Sequence, residues 1–246
     1  MQRSEGGAEK SGMRLSHNKQ RHLFQQSRLV RALLEIHHEA ITPAIATIAK
    51  VVFDGLDKDF YLAGGTALAL RLGHRKSVDL DYFIQKEVDT RKLQETLFKV
   101  FPSAKVQVTF EEKNTLWCSI NSVKVSFISR FDHMLDPVEI ADHFRLAGVK
   151  DITVMKLSAI CGREEYKDYF DLACIAGITD TRSWIEWWHT VYPNVDYTSF
   201  VVALAYVDKI PAVPLDIFDT HKHINVPEVI SLATKDITDY ISNPHQ

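Results

Sequence analysis

The sequence predicts an α+β fold: a small mixed sheet flanked by helices, followed by an all-helical C-terminal half. Three observations carry this. Between Lys105 and Ser129 the β-rich pieces "KVQVTF", "TLWCSI" and "VKVSFIS" follow one another, the last two joined by Asn121-Ser122, a pair suited to a tight hairpin. Upstream, "VDLDYFI" alternates apolar and acidic residues with the period of a strand. From about Ala147 onward the apolar spacing turns helical and stays so.

Taken in order, residues 1–22 are polar and basic, lack an apolar leader core and predict a flexible tail. "LFQQSRLVRALLEIHHEAITPAIATIAKVVF" predicts two helical pieces broken near Pro43, with His37 and His38 partly exposed. "KDFYLAG" is a short strand ending at Gly64 and Gly65. Thr66 is placed to N-cap "ALALRLG", a short helix stopped by Gly73. After the acidic strand, Asp89 or Thr90 caps "RKLQETLFKVF", which ends before Pro102. The helical half comprises "DITVMKLSAICGR", "YKDYFDLACIAG", "TRSWIEWWHTVY", "SFVVALAYVDKI" and "PEVISLATKDITDYI". A boundary within residues 135–150 divides a sheet-bearing domain, 23–146, from a helical domain, 147–246.

Composition narrows the classes. A formal net charge of −3 over 246 residues argues against coating nucleic acid by bulk electrostatics, though not against a local basic groove. The 3 cysteines, Cys118, Cys161 and Cys174, form no CxxC pair and read as small buried hydrophobes in a reducing, cytoplasmic setting. No run reaches the roughly 20 apolar residues of a membrane span.

The chemistry concentrates in "GGTALALRLGHRKSVDLDYF", residues 64–83. On a strand, Asp79 and Asp81 project to one face, and two close carboxylates repel unless a cation sits between them. A hard divalent cation meets that need with oxygen ligands and commonly shares its sphere with substrate phosphates. Gly64 and Gly65, opening a helix, expose backbone N–H groups to phosphate oxygens, and Thr66 and Ser77 add hydroxyls. The bland alternatives are a solvated strand face and a plain tight turn. Arg71, His74, Arg75 and Lys76 form a basic cluster that either guides an RNA backbone or is a solvated loop.

A second concentration lies in otherwise apolar helices. Lys156 and Arg163 are seven apart, on nearly one stripe, and Asp168 and Asp171 share a face, with Lys167 spaced to pair with Asp171. This is either a charge-paired surface hairpin, or a set in which Lys156, Arg163 and Lys167 meet a triphosphate while Asp171, with Asp168, supplies a carboxylate. "HKH" at 221–223 lacks the acid or cysteine that would complete a metal set. Trp184, Trp187 and Trp188 read as core packing before base stacking.

"GG", a short helix and "S-x-D-x-D" followed by aromatics resemble the DNA polymerase beta-like nucleotidyltransferase superfamily. "YLAGGTALALRLGHRKSVDLDYF" with "DITVMKLSAICGREEYKDYFDL" resembles, more narrowly, the AbiEii/AbiGii toxin family. The resemblance implies a nucleotidyltransferase-type sheet and transfer of a nucleoside monophosphate from a nucleoside triphosphate, with Mg²⁺ or Mn²⁺ on Asp79 and Asp81. It implies Ser77, Asp79, Lys156 and one acid of "KDYFDL" as the functional set, with Asp171 favoured over Asp168. It further implies an RNA end, often tRNA, or a protein side chain as acceptor, and an antitoxin protein encoded nearby.

One departure stands out. Many enzymes of that superfamily carry a third metal-binding carboxylate on a later strand, here "VKVSFIS", where Ser126 takes the position. Asp168 or Asp171 substitutes, or metal binding is weaker. A module that binds the triphosphate without transferring, and an enzyme modifying a small molecule, are the competing expectations.

Overall fold

A computed structural model describes residues 35–243. The first of the two helical pieces expected upstream of Pro43 lies largely outside the described residues, as does the basic tail. Within them, His38–Ala40 makes one 3-10 turn. Helix α1 (Pro43–Gly55) follows, with Pro43 in its first turn and the Thr42 hydroxyl accepting from Ile45 N at 3.3 Å. Its buried residues Ile45, Ile48, Ala49 and Val52 recur at helical spacing and face the sheet.

Strand β1 (Tyr61–Ala63) runs straight into helix α2 (Gly64–Leu72), which Gly73 stops in the left-handed conformation at φ 57°. Strand β2 (Asp79–Ile84) returns antiparallel to β1. Asp89 caps helix α3 (Thr90–Val100) by accepting from Lys92 N. Strands β3 (Val106–Glu112), β4 (Thr115–Ile120) and β5 (Val123–Ser129) form an antiparallel meander. Asn121 and Ser122 both take positive φ at its second turn, as a primed two-residue hairpin requires.

Two short strands were not legible in the sequence: β6 (Glu139–Ala141) and β7 (Phe144–Leu146), inside the stretch read as the boundary. At three residues each they are too short to show a period. They complete a sheet whose order is β3-β4-β5-β2-β1-β7-β6, parallel at β2/β5 and β1/β7 and antiparallel elsewhere.

Helices α4 (Val149–Gly162), α5 (Tyr166–Ala176), α6 (Ser183–Val191), α7 (Thr198–Ala205) and α8 (Val226–Ser242) follow. Helices α4 and α5 pack on each other and both touch α2, which brings the second charged stretch behind the first. Trp184 and Trp188 are buried, and Trp187 packs against the same core. Buried residues from the sheet and from the C-terminal helices make one continuous cluster. Cys118 and Cys174 are buried, but Cys161, in the last turn of α4, is exposed.

Candidate active site

The antiparallel pairing of β1 with β2 builds the site. Ala63 sits opposite Asp81, so the chain leaves β1 at Gly64 directly beside the carboxylate pair. Gly64 has φ +64°, and a side chain there would meet Asp81 Oδ2 at 3.3 Å. A side chain on Gly65 would collide with the Arg75 guanidinium at 2.5 Å and approach Asp171 Oδ2 at 3.7 Å. The double glycine is therefore the point where the two charged stretches converge: a Cβ on Gly64 is strained by its positive φ, and one on Gly65 would displace the Arg75 guanidinium.

Thr66 does not cap α2. The helix begins two residues earlier, its N-cap position is Ala63, and no side chain caps it. Thr66 instead donates its hydroxyl proton to the Asp79 carbonyl, so the 2.7 Å contact with Ser77 is a bond donated by the Ser77 hydroxyl. Both hydroxyls, buried, thus pin the start of β2 to α2.

Asp79 and Asp81 are half-buried on the same face of β2, and neither forms an ion pair among the described residues. Asp81 Oδ1 accepts a 2.6 Å bond from the Ser126 hydroxyl, its partner across the parallel β2/β5 register. Ser126 thus occupies the row expected for a third acid and neutralises no charge. Among the described residues no group of three or more His, Cys, Asp or Glu is gathered for a metal ion. What the strand offers is two carboxylates and a hydroxyl. That all-oxygen set, lacking a cation of its own, fits a hard divalent ion whose remaining ligands come from substrate or water.

Behind the glycines lies a buried charge cluster. Asp171 is fully buried and receives four contacts: His74 Nε2 at 2.8 Å, Arg75 Nε at 2.7 Å, a second Arg75 nitrogen at 2.9 Å and Lys156 Nζ at 2.5 Å. Asp168, also fully buried, binds Lys156 Nζ at 2.7 Å and Arg163 Nε at 2.9 Å. Burial alone would raise the Asp171 carboxyl, but Lys156 and Arg75, with the His74 and Arg75 hydrogen bonds, hold it well below its ordinary range. Burial likewise works against a charged Lys156, and Asp171 and Asp168 reverse it, leaving the ammonium above its usual value. Arg163 is the open edge of the cluster: its side chain is 50% exposed and close enough to Asp81 to feel that charge.

Several expectations are corrected here. Lys167 pairs with Glu165 at 2.8 Å rather than with Asp171, because α5 turns Asp171 inward and leaves Lys167 outside. Arg163 lies just past the end of α4 in extended conformation, so it does not continue a stripe from Lys156; both reach Asp168 instead. The cluster is charge-paired, yet buried rather than on the surface. The basic loop is neither an RNA guide nor a solvated turn. Arg71 is 1% exposed and donates to the Ala147 carbonyl at 2.9 Å and to Glu139 at 2.8 Å. His74 and Arg75 serve Asp171; only Lys76 is exposed, against Asp216. His74 and Arg75 are thus site residues that sequence reasoning missed. The one available signal was that an aspartate inside an apolar helix must find a cation somewhere. His221 of "HKH" lies edge-on to the His74 ring, outside any ligand cluster of three among the described residues.

A family described as "Nucleotidyl transferase AbiEii toxin, Type IV TA system" matches residues 48–184, over half the chain. The uncharacterized protein aq_aa25 of Aquifex aeolicus is 34% identical over 167 residues, 65% of this chain and 80% of that one. Among solved structures, JHP933 from Helicobacter pylori is 17% identical, covering 86% of this chain and 97% of its own, at a TM-score of 0.49. The nucleotidyltransferase toxin MenT4 from Mycobacterium tuberculosis H37Rv is 15% identical, covering 87% and 89%, at 0.44. The family match takes in both the Gly64–Asp81 stretch and the Lys156–Asp171 stretch that meet at the double glycine, and this chain belongs to the AbiEii nucleotidyltransferase toxin family.

Proposed function

We propose that this chain moves a nucleoside monophosphate from a nucleoside triphosphate to an RNA end, tRNA included, as the toxin partner of an antitoxin, in the cytoplasm. The observation that carries the site assignment is the meeting of a carboxylate pair without an ion pair among the described residues, Asp79 and Asp81, with a helix start at Gly64 and Gly65 that no described side chain caps. Asp79 and Asp81 would hold Mg²⁺ or Mn²⁺, which when bound neutralises charge developing on the phosphates. The N–H groups that open α2 receive phosphate oxygens, and the two glycines let Asp81 and Arg75 pack directly against that turn. Four cations, Arg75, Lys156, Arg163 and Lys167, face three carboxylates, Asp168, Asp171 and Glu165, in the cluster behind and at its edge, leaving a positive surplus toward the triphosphate. Arg163, exposed and near Asp81, is the cation able to touch it. Lys156, at 4% exposure, acts through the cluster's field and by fixing Asp168 and Asp171. The acceptor hydroxyl oxygen bonds to the α-phosphorus as the bond to pyrophosphate breaks and the hydroxyl proton is lost to solvent, with residues 23–146 supplying the carboxylate pair and 147–246 supplying Arg163 and the buried cluster behind it.

No helix among the described residues is long and apolar enough to cross a membrane. The test is incubation with Mg²⁺, each labelled nucleoside triphosphate in turn and total tRNA, beside Asp79→Ala. Label on RNA with the wild type alone supports the reading. Label on a protein or small molecule instead overturns the acceptor assignment, and triphosphate binding without transfer overturns the reaction.

A further inference from the structure

We propose that Phe110 and Trp117 form a stacking platform for unpaired bases of the strand that accepts the nucleotide. The proposal rests on the reading above that the acceptor is RNA. In the sheet, Phe110 pairs with Trp117, Trp117 with Ser126, and Ser126 with Asp81. Directly opposed residues share a face, so these four form one row across β3, β4, β5 and β2 that ends at the carboxylate pair. With strands about 4.8 Å apart, Trp117 stands roughly 10 Å and Phe110 roughly 15 Å from Asp81 along that row. The last nucleotides of a strand whose terminal hydroxyl reaches Asp81 would pass over both rings.

The rings are open to such a ligand. Leu116, Cys118 and Ile120 alternate into the core, with at most 2% exposure, whereas Trp117 is 47% and Phe110 40% exposed. The two rings touch at 4.8 Å between centroids, tilted by 42°. Their neighbours on this face argue for bases over a protein partner. A protein-docking face calls for a broad apolar patch, but Gln107, Ser119, Thr115 and Lys124 surround the pair with hydrogen-bonding groups. Lys124, opposite Asp79, brings one cation, while Glu112 closes the far corner with an acid. Affinity then comes from stacking more than from phosphate pairing, and should fall only weakly with salt.

Two readouts test this on the full chain. Single-stranded oligouridylate is titrated into protein without nucleoside triphosphate, following tryptophan fluorescence. Trp184 and Trp188 are buried and Trp187 is partly buried, so the component of quenching that reports on Trp117 is the part lost in Trp117→Phe, and it should be the larger part. In the label-transfer assay, the Phe110→Ala/Trp117→Ala double variant should raise the KM for tRNA about 10-fold or more, with the KM for the triphosphate unchanged. Both variants are first confirmed folded by thermal melting. An unchanged tRNA KM in a folded double variant overturns the platform. Quenching by the oligonucleotide without transfer of label to RNA supports the platform while overturning the acceptor assignment, so the two failures are distinguishable.

Discussion

Two carboxylate pairs converge on the same two glycines and live in opposite environments. Asp168 and Asp171 are fully buried and bound by Lys156, Arg75, Arg163 and His74. Asp79 and Asp81 are half-open and neither has an ion pair among the described residues; the Ser126 hydroxyl bonds Asp81, and Arg163 lies near enough to feel that charge. A buried carboxylate must be compensated inside the fold, and for the first pair the fold supplies the cations itself. The second pair leaves its compensation to whatever binds. Residue type alone does not separate scaffold from chemistry; partnering and exposure do.

The largest expected effect comes from the buried pair. Asp171→Ala strands Arg75 and leaves Lys156 with Asp168 alone, which should remove about 3–5 kcal/mol of stability. For a chain of this size that is on the order of 10 °C in Tm, read by circular dichroism. Asp79→Ala should leave Tm within about 2 °C of wild type while label transfer falls on the order of 100-fold or more. Equal losses of Tm in both variants would erase the contrast. Ser126→Asp sharpens it by placing a third acid opposite Asp81. It removes the 2.6 Å hydrogen bond and adds like-charge opposition, lowering stability by about 1 kcal/mol in metal-free buffer. Added Mg²⁺ should then raise Tm more in the variant than in wild type; an equal rise would deny β2 and β5 a shared ion.

Much of the open pair was legible in the sequence, and little of the buried one. Asp79 and Asp81 declare themselves because strand alternation fixes their face within three residues, and Gly64-Gly65 is a local signal. Of the partners of Asp171, Lys156 was read in the same charged stretch, but Arg75 and His74 lie 96 and 97 residues away and nothing local marks them. A run of four basic-looking residues reads as solvated, yet three of them are needed in the interior: Arg71 for the β7 end of the sheet, His74 and Arg75 for Asp171. The fold followed the same rule. Caps at Asp89 and the hairpin at Asn121-Ser122 were visible, whereas β7 joins the sheet by pairing with β1 across the chain and β6 by pairing with β7.

His74 gives the finest probe of the buried pair, because its charge state is coupled to that pair's packing. Its ring is fully buried, stacked on Phe170 at 5.8 Å, and donates through Nε2 to Asp171; Nδ1 has no hydrogen-bond partner among the described residues. Burial lowers its pKa, overriding the opposite pull of Asp171, so the native ring stays neutral where an unfolded histidine, at roughly 6.5, is already protonated. The unfolded state then binds the extra proton, and stability falls as pH drops from about 7 toward the lower native value. Asp171 itself stays ionised across that interval, since its carboxyl is held well below the ordinary range, so its pairing with Lys156 and Arg75 is intact throughout. His74→Gln keeps a donor for Asp171 without a titrating ring. It should lower Tm at pH 7 through the lost stacking, yet flatten the decline between pH 7 and 5.5 by up to about 1.4 kcal/mol per pH unit. Parallel Tm curves for wild type and variant over that interval would show that His74 takes up its proton in the folded state as readily as in the unfolded one, and would break its assignment to a ring kept neutral by burial.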